Sequence, residues 1–282
     1  MKAHVLNHKS ILSMISDRPA WSHKGDFGKL LLLCGSRGFT GAAALAAMGA
    51  LRCGAGLVYL GVPESIYAIE AIKLTEPVIF PLPDKEGKLS SEVIPMLPDL
   101  LRDKDAILIG PGLGQSEDTA AVVCQVLQQA DVPVILDADG INVISRHMDV
   151  LRGRKAPTIL TPHDVEFTRL GGSIGADRAH SAMELAKDLG CIVLLKGYRT
   201  IISDGESFWC NTTGNPGMAT GGSGDVLAGM ITALIGQGIP PVLSAACGAW
   251  LHGKAGDLAA AELGQMAMLP TDMLQFLPRL LK

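Results

Sequence analysis

Short apolar runs alternate with helical segments along most of the chain. The runs are continuous, which is typical of parallel strands buried on both faces, and helices between such strands indicate an α/β sheet covered on both sides. The predicted strands are 29–34, 57–60, 106–109, 134–136, 158–160, 191–195, 200–202 and 207–209. The predicted helices are 41–53, 65–73, 117–129, 141–145, 165–170, 178–189, 223–235 and 241–262.

The strands at 200–202 and 207–209 flank Asp204-Gly205, a turn signal that predicts an antiparallel hairpin at one edge of the sheet. The segment 81–90 is the most polar interruption, and it is too short to separate two domains. We find no internal repeat and no linker composition in the sequence. One domain is therefore predicted, and 282 residues are enough to bury a large core.

The composition excludes several classes of protein. Apolar residues make up 48% and charged residues 18%, as in a compact α/β protein, and the net charge of −4 gives no reason to expect nucleic acid or an anionic membrane as partner. The six cysteines are scattered without a C-x-x-C pair, which argues against a disulfide scaffold and favours the reducing cytoplasm. No signal-peptide core and no run of membrane-spanning length is evident.

The most informative motif is the glycine-rich segment 213–225, which leads directly into an apolar helix. The first turn of a helix has N–H groups without partners, and glycines let an anion approach them, so this segment is predicted to bind phosphate. Asp225 would repel such a ligand, which makes sense where a carboxylate must accept a proton from an attacking hydroxyl. The alternative is a flexible loop before a helix whose first turn carries a favourable acid.

Two more glycine-rich turns follow predicted strands, where open α/β sheets bind ligands. Residues 35–43 carry glycines spaced three apart and match neither the dinucleotide fingerprint nor the P-loop. Residues 110–114 carry three alternate glycines, but Gln115 stands where a dinucleotide fold would have glycine, which argues against an ordinary dehydrogenase. Each turn can receive a ligand or can pack a helix closely against the sheet.

Polar side chains also stand where predicted strands end. Asp137 and Asp139 follow one strand, and paired carboxylates suit Mg²⁺, although Asp139 could instead cap the next helix. Thr161 or His163 could cap the next helix, with His163 and Glu166 then on one face of it. Lone histidines are usually structural, but His163 lies at a strand end among other candidate site loops, which favours ligand contact. Lys196 ends a buried strand, where its charge suits nucleotide phosphates unless it is only a solvated strand end.

Together these motifs resemble the NAD(P)H-hydrate dehydratases, ribokinase-like enzymes that repair hydrated nicotinamide cofactors. The matching segments stand in the family's order at residues 22–29, 35–43, 54–58, 110–114, 161–167, 196–200 and 215–225. The resemblance implies a ribokinase-like three-layer α/β/α sandwich with a mainly parallel central sheet. It places this domain at residues 22–282 after an N-terminal extension of residues 1–21, without the epimerase domain that is fused in front of some relatives.

The resemblance also implies an activity, which is nucleotide-dependent dehydration of the S epimer of NADH or NADPH hydrate. ADP, or ATP in some relatives, would donate the phosphoryl group with Mg²⁺, and the protein would be a cytoplasmic homotetramer. Substrate contacts carry over to Ala42, Ala43, Gly112, His163 and Asp225, and nucleotide contacts to Lys196, Gly197, Tyr198, Arg199, Thr200 and Gly224. Phosphates and water would hold the magnesium ion, with Glu166 and Asn142 as outer partners.

The residue chemistry leads to the same mechanism. Asp225 would accept the proton of the ring hydroxyl, while the N–H groups of Gly222, Ser223 and Gly224 stabilise the charge that spreads over the phosphoryl oxygens. Two alternatives stay open. A ribokinase-like vitamin kinase would leave the phosphate on its substrate, and a non-catalytic nucleotide or NAD(H) sensor would bind without turnover.

Overall fold

In the computed structural model of the protein, residues 4–15 and 17–282 are described. The strands are β1 (Lys29–Leu33), β2 (Leu57–Pro63), β3 (Val78–Leu82), β4 (Asp84–Lys85), β5 (Lys88–Leu89), β6 (Ala106–Ile109), β7 (Val134–Leu136), β8 (Thr158–Leu160), β9 (Ile192–Leu195), β10 (Ile201–Ser203) and β11 (Phe208–Cys210). Nine of them form one sheet in the order β11-β10-β9-β8-β7-β6-β1-β2-β3, and β4 and β5 form a small separate hairpin. The strands from β3 to β9 in this sheet run parallel, so the predicted parallel sheet is confirmed.

Helices cover both faces of the sheet. They are α1 (His8–Leu12), α2 (Thr40–Arg52), α3 (Glu64–Lys73), α4 (Leu97–Leu101), α5 (Glu117–Gln129), α6 (Asp139–Ile144), α7 (Asp149–Arg152), α8 (Asp164–Arg169), α9 (Arg178–Leu189), α10 (Ser223–Gly236), α11 (Pro241–Leu263) and α12 (Pro270–Leu280). Leu30 and Leu32 of β1 belong to the core that includes α2, α10 and α11, whereas Leu31 and Leu33 belong to the core that includes α5 and α9. This burial on both faces explains why the strands are continuously apolar.

The predicted hairpin at the sheet edge is β10–β11, and both of its pairings are antiparallel. Asp204 closes the turn because its Oδ1 accepts hydrogen bonds from the N–H groups of Glu206 (3.0 Å) and Ser207 (2.8 Å). The backbone of the edge strand β11 is partly paired on its outer side. His4 forms an isolated parallel bridge to Trp209, so the first described residues satisfy part of this edge.

The predicted N-terminal extension packs onto the domain where the structure describes it, which excludes residues 1–3 and Ser16. Ile11 is fully buried in the core beside α11 and α12. The His8 ring stacks on Trp250, and its Nε2 lies 2.8 Å from the carbonyl oxygen of Leu280. The segment is therefore anchored to the domain at Ile11 and His8, while most of its other described residues stay exposed or partly exposed.

The structure adds elements that the apolar pattern does not reveal. Strand β3 contains Pro81, which an edge strand tolerates because its missing N–H need not pair. The polar segment 81–90 contains the β4–β5 hairpin, whose Leu89 is buried. Helix α12 has Pro270 at its first position and Pro278 near its end, and it buries an apolar face. The two prolines are the reason why the sequence pattern did not predict it.

Helices α2 and α10 cross with their backbones in contact. A Cβ atom at Gly49 would lie 2.5 Å from the carbonyl oxygen of Val226, and one at Gly229 would collide with the carbonyl of Ala46. Glycine is therefore required on both helices, and the crossing brings their N-terminal turns to the same edge of the sheet. Within residues 4–15 and 17–282, no helix is both long enough and apolar enough to span a membrane.

Candidate active site

The candidate site lies at the point in the sheet where the strand order reverses, next to β1. From β1 the chain continues to β2 and β3 on one side, whereas β6 pairs with β1 on the other side. Open α/β sheets bind ligands at such a switch point, beyond the carboxyl ends of the strands. The two turns that leave β1 and β6 are joined there, because the N–H of Gly35 donates to the carbonyl of Pro111 (2.8 Å) and the Ser36 hydroxyl donates to that of Gly112 (2.7 Å).

These turns bring together two of the predicted substrate residues. A Cβ atom at Gly112 would lie 2.8 Å from the Cβ of Ala42 and 3.0 Å from that of Phe39, so this glycine leaves room beside the start of α2. Gly112 also has a φ of 63°, a conformation that favours glycine. The side chain of Ala43, by contrast, is fully buried and faces the core. Ala42 is therefore the alanine whose side chain borders Gly112.

A partly buried lysine lies at the centre of the site. Lys196 Nζ is 2.9 Å from Asp137 Oδ1 and 3.8 Å from Glu166 Oε2, and both acids are almost fully buried. The Thr161 hydroxyl donates a second hydrogen bond, of 2.6 Å, to the same Asp137 oxygen. Burial lowers the pKa of Lys196, but the charges of Asp137, Glu166 and Asp225 outweigh it and raise that pKa. Lys196 therefore stays positively charged.

Asp225 stands in the first turn of α10, close to this lysine. A Cβ atom on its neighbour Gly224 would lie 3.5 Å from Lys196 Nζ and 3.9 Å from Asp137 Oδ2. Burial and the charge of Asp137 raise the pKa of Asp225 to about 6, although Lys196 acts in the opposite direction. Among the described residues, none forms a hydrogen bond or ion pair with its carboxylate. This half-buried acid is suited to accept a proton near neutral pH.

The backbone before Asp225 was predicted to form an anion cradle, and its N–H groups are open at the start of α10. Gly222 caps α10 with a φ of 93°, and a Cβ atom there would collide with Leu45 of α2. In the described part of the chain, the N–H groups of Gly222 and Gly224 have no protein acceptor, and that of Ser223 makes one long bond of 3.4 Å to the carbonyl of Thr220. Unpaired N–H groups at the start of a fourteen-residue helix favour an anion. The predicted phosphate cradle is thus geometrically open.

The two predicted magnesium partners lie in different surroundings. Glu166 is buried beside Lys196, and its Oε2 accepts a 2.9 Å hydrogen bond from the N–H of His163. Asn142 Oδ1 accepts from Arg169 Nη1 at 2.5 Å, so a protein cation already occupies this oxygen. Asp139 likewise accepts from the N–H of Gly114 (2.9 Å), which ties two turns together and does not leave it free for a metal.

The donors of the site nevertheless fit magnesium. Asp137, Glu166 and Asp225 place three carboxylates around the single ammonium of Lys196, which leaves negative charge to be neutralised. Mg²⁺ prefers such hard oxygen donors and completes its shell with water and phosphate oxygens. In residues 4–15 and 17–282, no group of three or more His, Cys, Asp or Glu side chains is arranged to hold a metal ion, so phosphate and water oxygens would have to supply most of the ligands.

The predicted ligand contact at His163 is also a helix cap. Its Nδ1 accepts hydrogen bonds from the N–H groups of Val165 (3.1 Å) and Glu166 (3.3 Å), which makes it the N-cap of α8. Half of the side chain is exposed, and Nε2 lies 3.5 Å from Glu166 Oε1. Of the two caps that the sequence allowed, Thr161 and His163, the structure has His163, and the outer ring nitrogen stays accessible.

The predicted nucleotide segment forms a turn after β9. Gly197 has a φ of 147°, and the Thr200 hydroxyl donates to its carbonyl at 2.9 Å. Tyr198 is 89% exposed, and the Arg199 guanidinium lies 5.7 Å from its ring centre. The turn thus presents an aromatic and a cationic side chain to solvent directly beyond the partly buried Lys196.

Sequence reasoning missed the residue that anchors this turn. Arg178 Nη2 donates to the carbonyl of Lys196 at 2.9 Å and to Asp164 Oδ1 at 2.7 Å. A single arginine at the start of a helix has no local pattern that could reveal such a bond. Its role becomes visible only when the turn after β9 lies beside α8 and α9.

The sequence profile of the NAD(P)H-hydrate dehydratases matches residues 30–279 of the chain. The chain belongs to this family. An ADP-dependent (S)-NAD(P)H-hydrate dehydratase of Neisseria meningitidis is 35% identical over 257 residues, which cover 88% of this chain and 82% of that protein. A bifunctional NAD(P)H-hydrate repair enzyme of Moorella thermoacetica is 44% identical over 277 residues, and the chain spans 52% of that enzyme's length.

Solved structures of the family confirm the predicted ribokinase-like fold. The ADP/ATP-dependent NAD(P)H-hydrate dehydratase of Bacillus subtilis, co-crystallised with ATP and Mg²⁺, superposes with a TM-score of 0.84 at 33% identity, over 99% of this chain and 98% of that one. A ribokinase-like protein of Enterococcus faecalis superposes with a TM-score of 0.86 at 29% identity, over 99% and 95% of the two chains. The resemblance read from the sequence motifs is therefore confirmed for family and fold.

Proposed function

We propose that the protein dehydrates the S epimer of NADH or NADPH hydrate and uses ADP as the phosphoryl donor. The observation that carries this proposal is the position of Asp225, a carboxylate with a raised pKa between open helix N–H groups and Lys196. The relatives named above as hydrate dehydratases support the same reaction. The dehydration releases AMP and phosphate and restores the reduced nicotinamide ring.

The first step is a phosphoryl transfer to the ring hydroxyl. Asp225 accepts the hydroxyl proton while the oxygen forms a bond to the terminal phosphorus of ADP, and the bond from that phosphorus to AMP breaks. The N–H groups of Gly222 and Gly224 stabilise the charge that develops on the phosphoryl oxygens. Lys196 adds a fixed positive charge, which Asp137 and Glu166 hold in place.

The second step is an elimination. The electron pair of the ring nitrogen expels phosphate from the carbon beside it, the next ring carbon gives a proton to the released phosphate, and the ring double bond between these two carbons returns. Hydroxide is a poor leaving group and phosphate is a good one, which is why the first step is needed. The protein must mainly exclude water and stabilise the departing anion, for which the cradle at Gly222–Gly224 is suited.

Asp137 and Glu166 would help to hold magnesium, because their carboxylate oxygens fit its preference for hard ligands and nucleotide phosphates and water would supply the rest. When bound, it would neutralise phosphate charge. Asn142 would contact the magnesium ion only through water, since its side-chain oxygen already accepts a hydrogen bond from Arg169.

We also propose a cytoplasmic location and a homotetramer. All six cysteines are free thiols, which suits a reducing compartment. The edge strand β3 carries Val78 at 47% exposure and the preceding helix carries Ile72 at 86%, so association of chains would cover apolar surface at this edge. Light scattering of the purified protein measures the number of chains.

The function is tested with hydrated NADH, Mg²⁺ and either ADP or ATP. We expect the near-ultraviolet absorbance of the reduced ring to return, with AMP and phosphate formed in equal amounts from ADP. The matched control is Asp225→Asn, and EDTA provides a metal-free arm. Phosphate that stays on an organic product would point to a kinase, and binding without turnover would point to a sensor. Either result would contradict the proposal.

A further inference from the structure

One face of helix α11 supports the whole segment that leads into the anion cradle. The side-chain amide of Asn211 donates to the carbonyl of Ala249 (3.3 Å), and the Thr213 hydroxyl donates to that of Trp250 (2.8 Å). Side chains larger than hydrogen are excluded at two positions of this face. A Cβ atom at Gly253 would collide with Thr213, and one at Gly256 would collide with Met218.

Asp257 lies farther along the same face and holds the loop through both of its oxygens. Its Oδ2 accepts the N–H of Gly214 at 3.2 Å, and its Oδ1 accepts the side-chain amide of Asn215 at 3.2 Å. Asn215 in turn accepts the N–H of Gly217 at 3.0 Å. Residues 249, 253, 256 and 257 are spaced at helical intervals, so these contacts form one continuous stripe on α11.

His252 reaches the first turn of α10 from the same helix. Its Nε2 lies 3.4 Å from the hydroxyl oxygen of Ser223, and both side chains are buried, at 6% and 8% exposure. Burial lowers the pKa of His252 to about 4, so the ring is neutral at neutral pH. The contact is therefore a hydrogen bond between neutral groups, and the ring adds no charge to the cradle.

We propose that His252 and Asp257 are positioning residues that hold the segment 211–223 in the conformation that binds the transferring phosphoryl group. His252 holds Ser223, the residue after Gly222. Asp257 holds Gly214 and Asn215, in the loop that follows β11. They act through the loop and do not contact the substrate. This inference rests on the proposed phosphoryl transfer, because it concerns the donors that stabilise that step.

The expected kinetic effect follows from preorganisation. The cradle's N–H groups stabilise charge most strongly while the phosphoryl group moves, so their misplacement raises the barrier more than it weakens nucleotide binding. We expect Asp257→Ala and His252→Ala to lower kcat about a hundredfold, the scale of an ångström-sized misplacement. The KM for ADP should change little, because Lys196 and the turn after it remain in place.

Conservative variants distinguish positioning from general damage to the fold. Asp257→Asn keeps one acceptor oxygen, and His252→Gln keeps a polar atom near the Nε2 position, so each should recover about tenfold of the lost kcat, in line with one regained hydrogen bond. Ser244→Ala is the matched control. Ser244 is fully buried on the same helix, but its hydroxyl donates to the carbonyl of Ile239 at the far end. This control should retain the kcat of the unmodified protein.

A second measurement does not depend on the reaction. Amide hydrogen exchange followed by mass spectrometry should show faster exchange for residues 211–223 in Asp257→Ala and His252→Ala, and unchanged exchange there in Ser244→Ala. Unchanged loop exchange together with unchanged kcat in both alanine variants would overturn the inference. Equal loss of kcat in the alanine and conservative variants would also overturn it.

The two proposals fail in different ways. If the unmodified protein shows no dehydratase activity, the proposed function is wrong, and the exchange experiment still tests whether α11 positions the loop. If the unmodified protein is active and the α11 variants match the Ser244→Ala control, only the positioning role is wrong. If an alanine variant does not fold, the asparagine and glutamine variants are compared with the control in its place.

Discussion

Asp225, the proposed general base, is also a source of instability. Its pKa is raised from the usual 3.8 to about 6 by burial and by Asp137, so the folded protein holds the ionised carboxylate less well than the unfolded chain does. Such a cost at a reactive residue is common, because a site that favours chemistry need not favour folding.

We therefore expect Asp225→Asn to raise the free energy of unfolding at pH 7 by about 3 kcal/mol, an order of magnitude taken from the size of the pKa shift. In the unmodified protein this contribution is absent below the unfolded pKa, where both states are protonated. The destabilisation develops as the pH rises from the unfolded pKa of 3.8 to the folded pKa of about 6, and it is fully present above that value. Urea unfolding at pH 4 and pH 7 measures the difference, and a variant less stable at pH 7 would contradict this account.

The same substitution should remove the general base. We expect Asp225→Asn to lower turnover by at least about a hundredfold, the usual scale for a lost base. Nucleotide binding, measured by calorimetry with ADP and Mg²⁺, should stay largely intact, because Lys196 and the cradle remain. Near-normal turnover in this variant would exclude Asp225 from the mechanism.

Activity should also report the ionisation of Asp225. We expect kcat/KM to fall as the pH decreases below about 6, because the protonated carboxyl cannot accept the hydroxyl proton. The pKa of His252 is lowered to about 4 by burial, so this histidine stays neutral over the same range. A profile that is flat from pH 5 to pH 8 would contradict the assignment.

Helices α2 and α10 are held at a fixed distance by glycines, and both carry site residues at their first turns. Gly49 faces Val226, and Gly229 faces Ala46, with no space for a methyl group at either contact. The relative position of Ala42 and the anion cradle thus depends on how closely the two helices approach.

We expect Gly229→Ala to destabilise the protein by about 1–3 kcal/mol, because an added methyl group must push α10 away from α2. Gly41→Ala, on α2, is the matched control. A Cβ atom there meets open space, and alanine favours a helix more than glycine does, so stability should stay equal or rise. Thermal unfolding of both variants measures the contrast, and equal effects would show that the backbone contact is unimportant.

The N-terminal segment connects distant parts of the molecule. It bridges β11 through His4, stacks on α11 through His8 and fills the core beside α12 through Ile11. We expect Ile11→Ala to cost about 2–5 kcal/mol, the range for a truncated buried aliphatic side chain. Val5→Ala, at 59% exposure in the same segment, should change stability little. Chemical unfolding compares the two, and equal small effects would mean that the segment is only an appendage.

Features that depend on a few neighbouring residues could be read from the sequence. Continuous aliphatic runs predicted the parallel strands, because a strand buried on both faces needs apolar residues at every position. The glycines before Asp225 predicted an open helix start, because glycine adopts the positive φ values that such a turn needs. Strand β3 and helix α12 were not predicted, because both contain proline and proline normally argues against a strand or a helix. In the structure these prolines lie at an edge strand and at the ends of the helix, where they are tolerated.

Contacts between residues far apart along the chain left no such trace. Asp137 and Lys196 are 59 residues apart, and only the pairing of β7, β8 and β9 brings them to 2.9 Å. The pKa of Asp225 depends in turn on that ion pair and on burial. The local order of residue types thus predicted most of the strands and the glycine-rich helix start that carries Asp225. The charge balance around that acid, and the support that α11 provides, arose only on folding, because electrostatic and packing energies depend on distances in space.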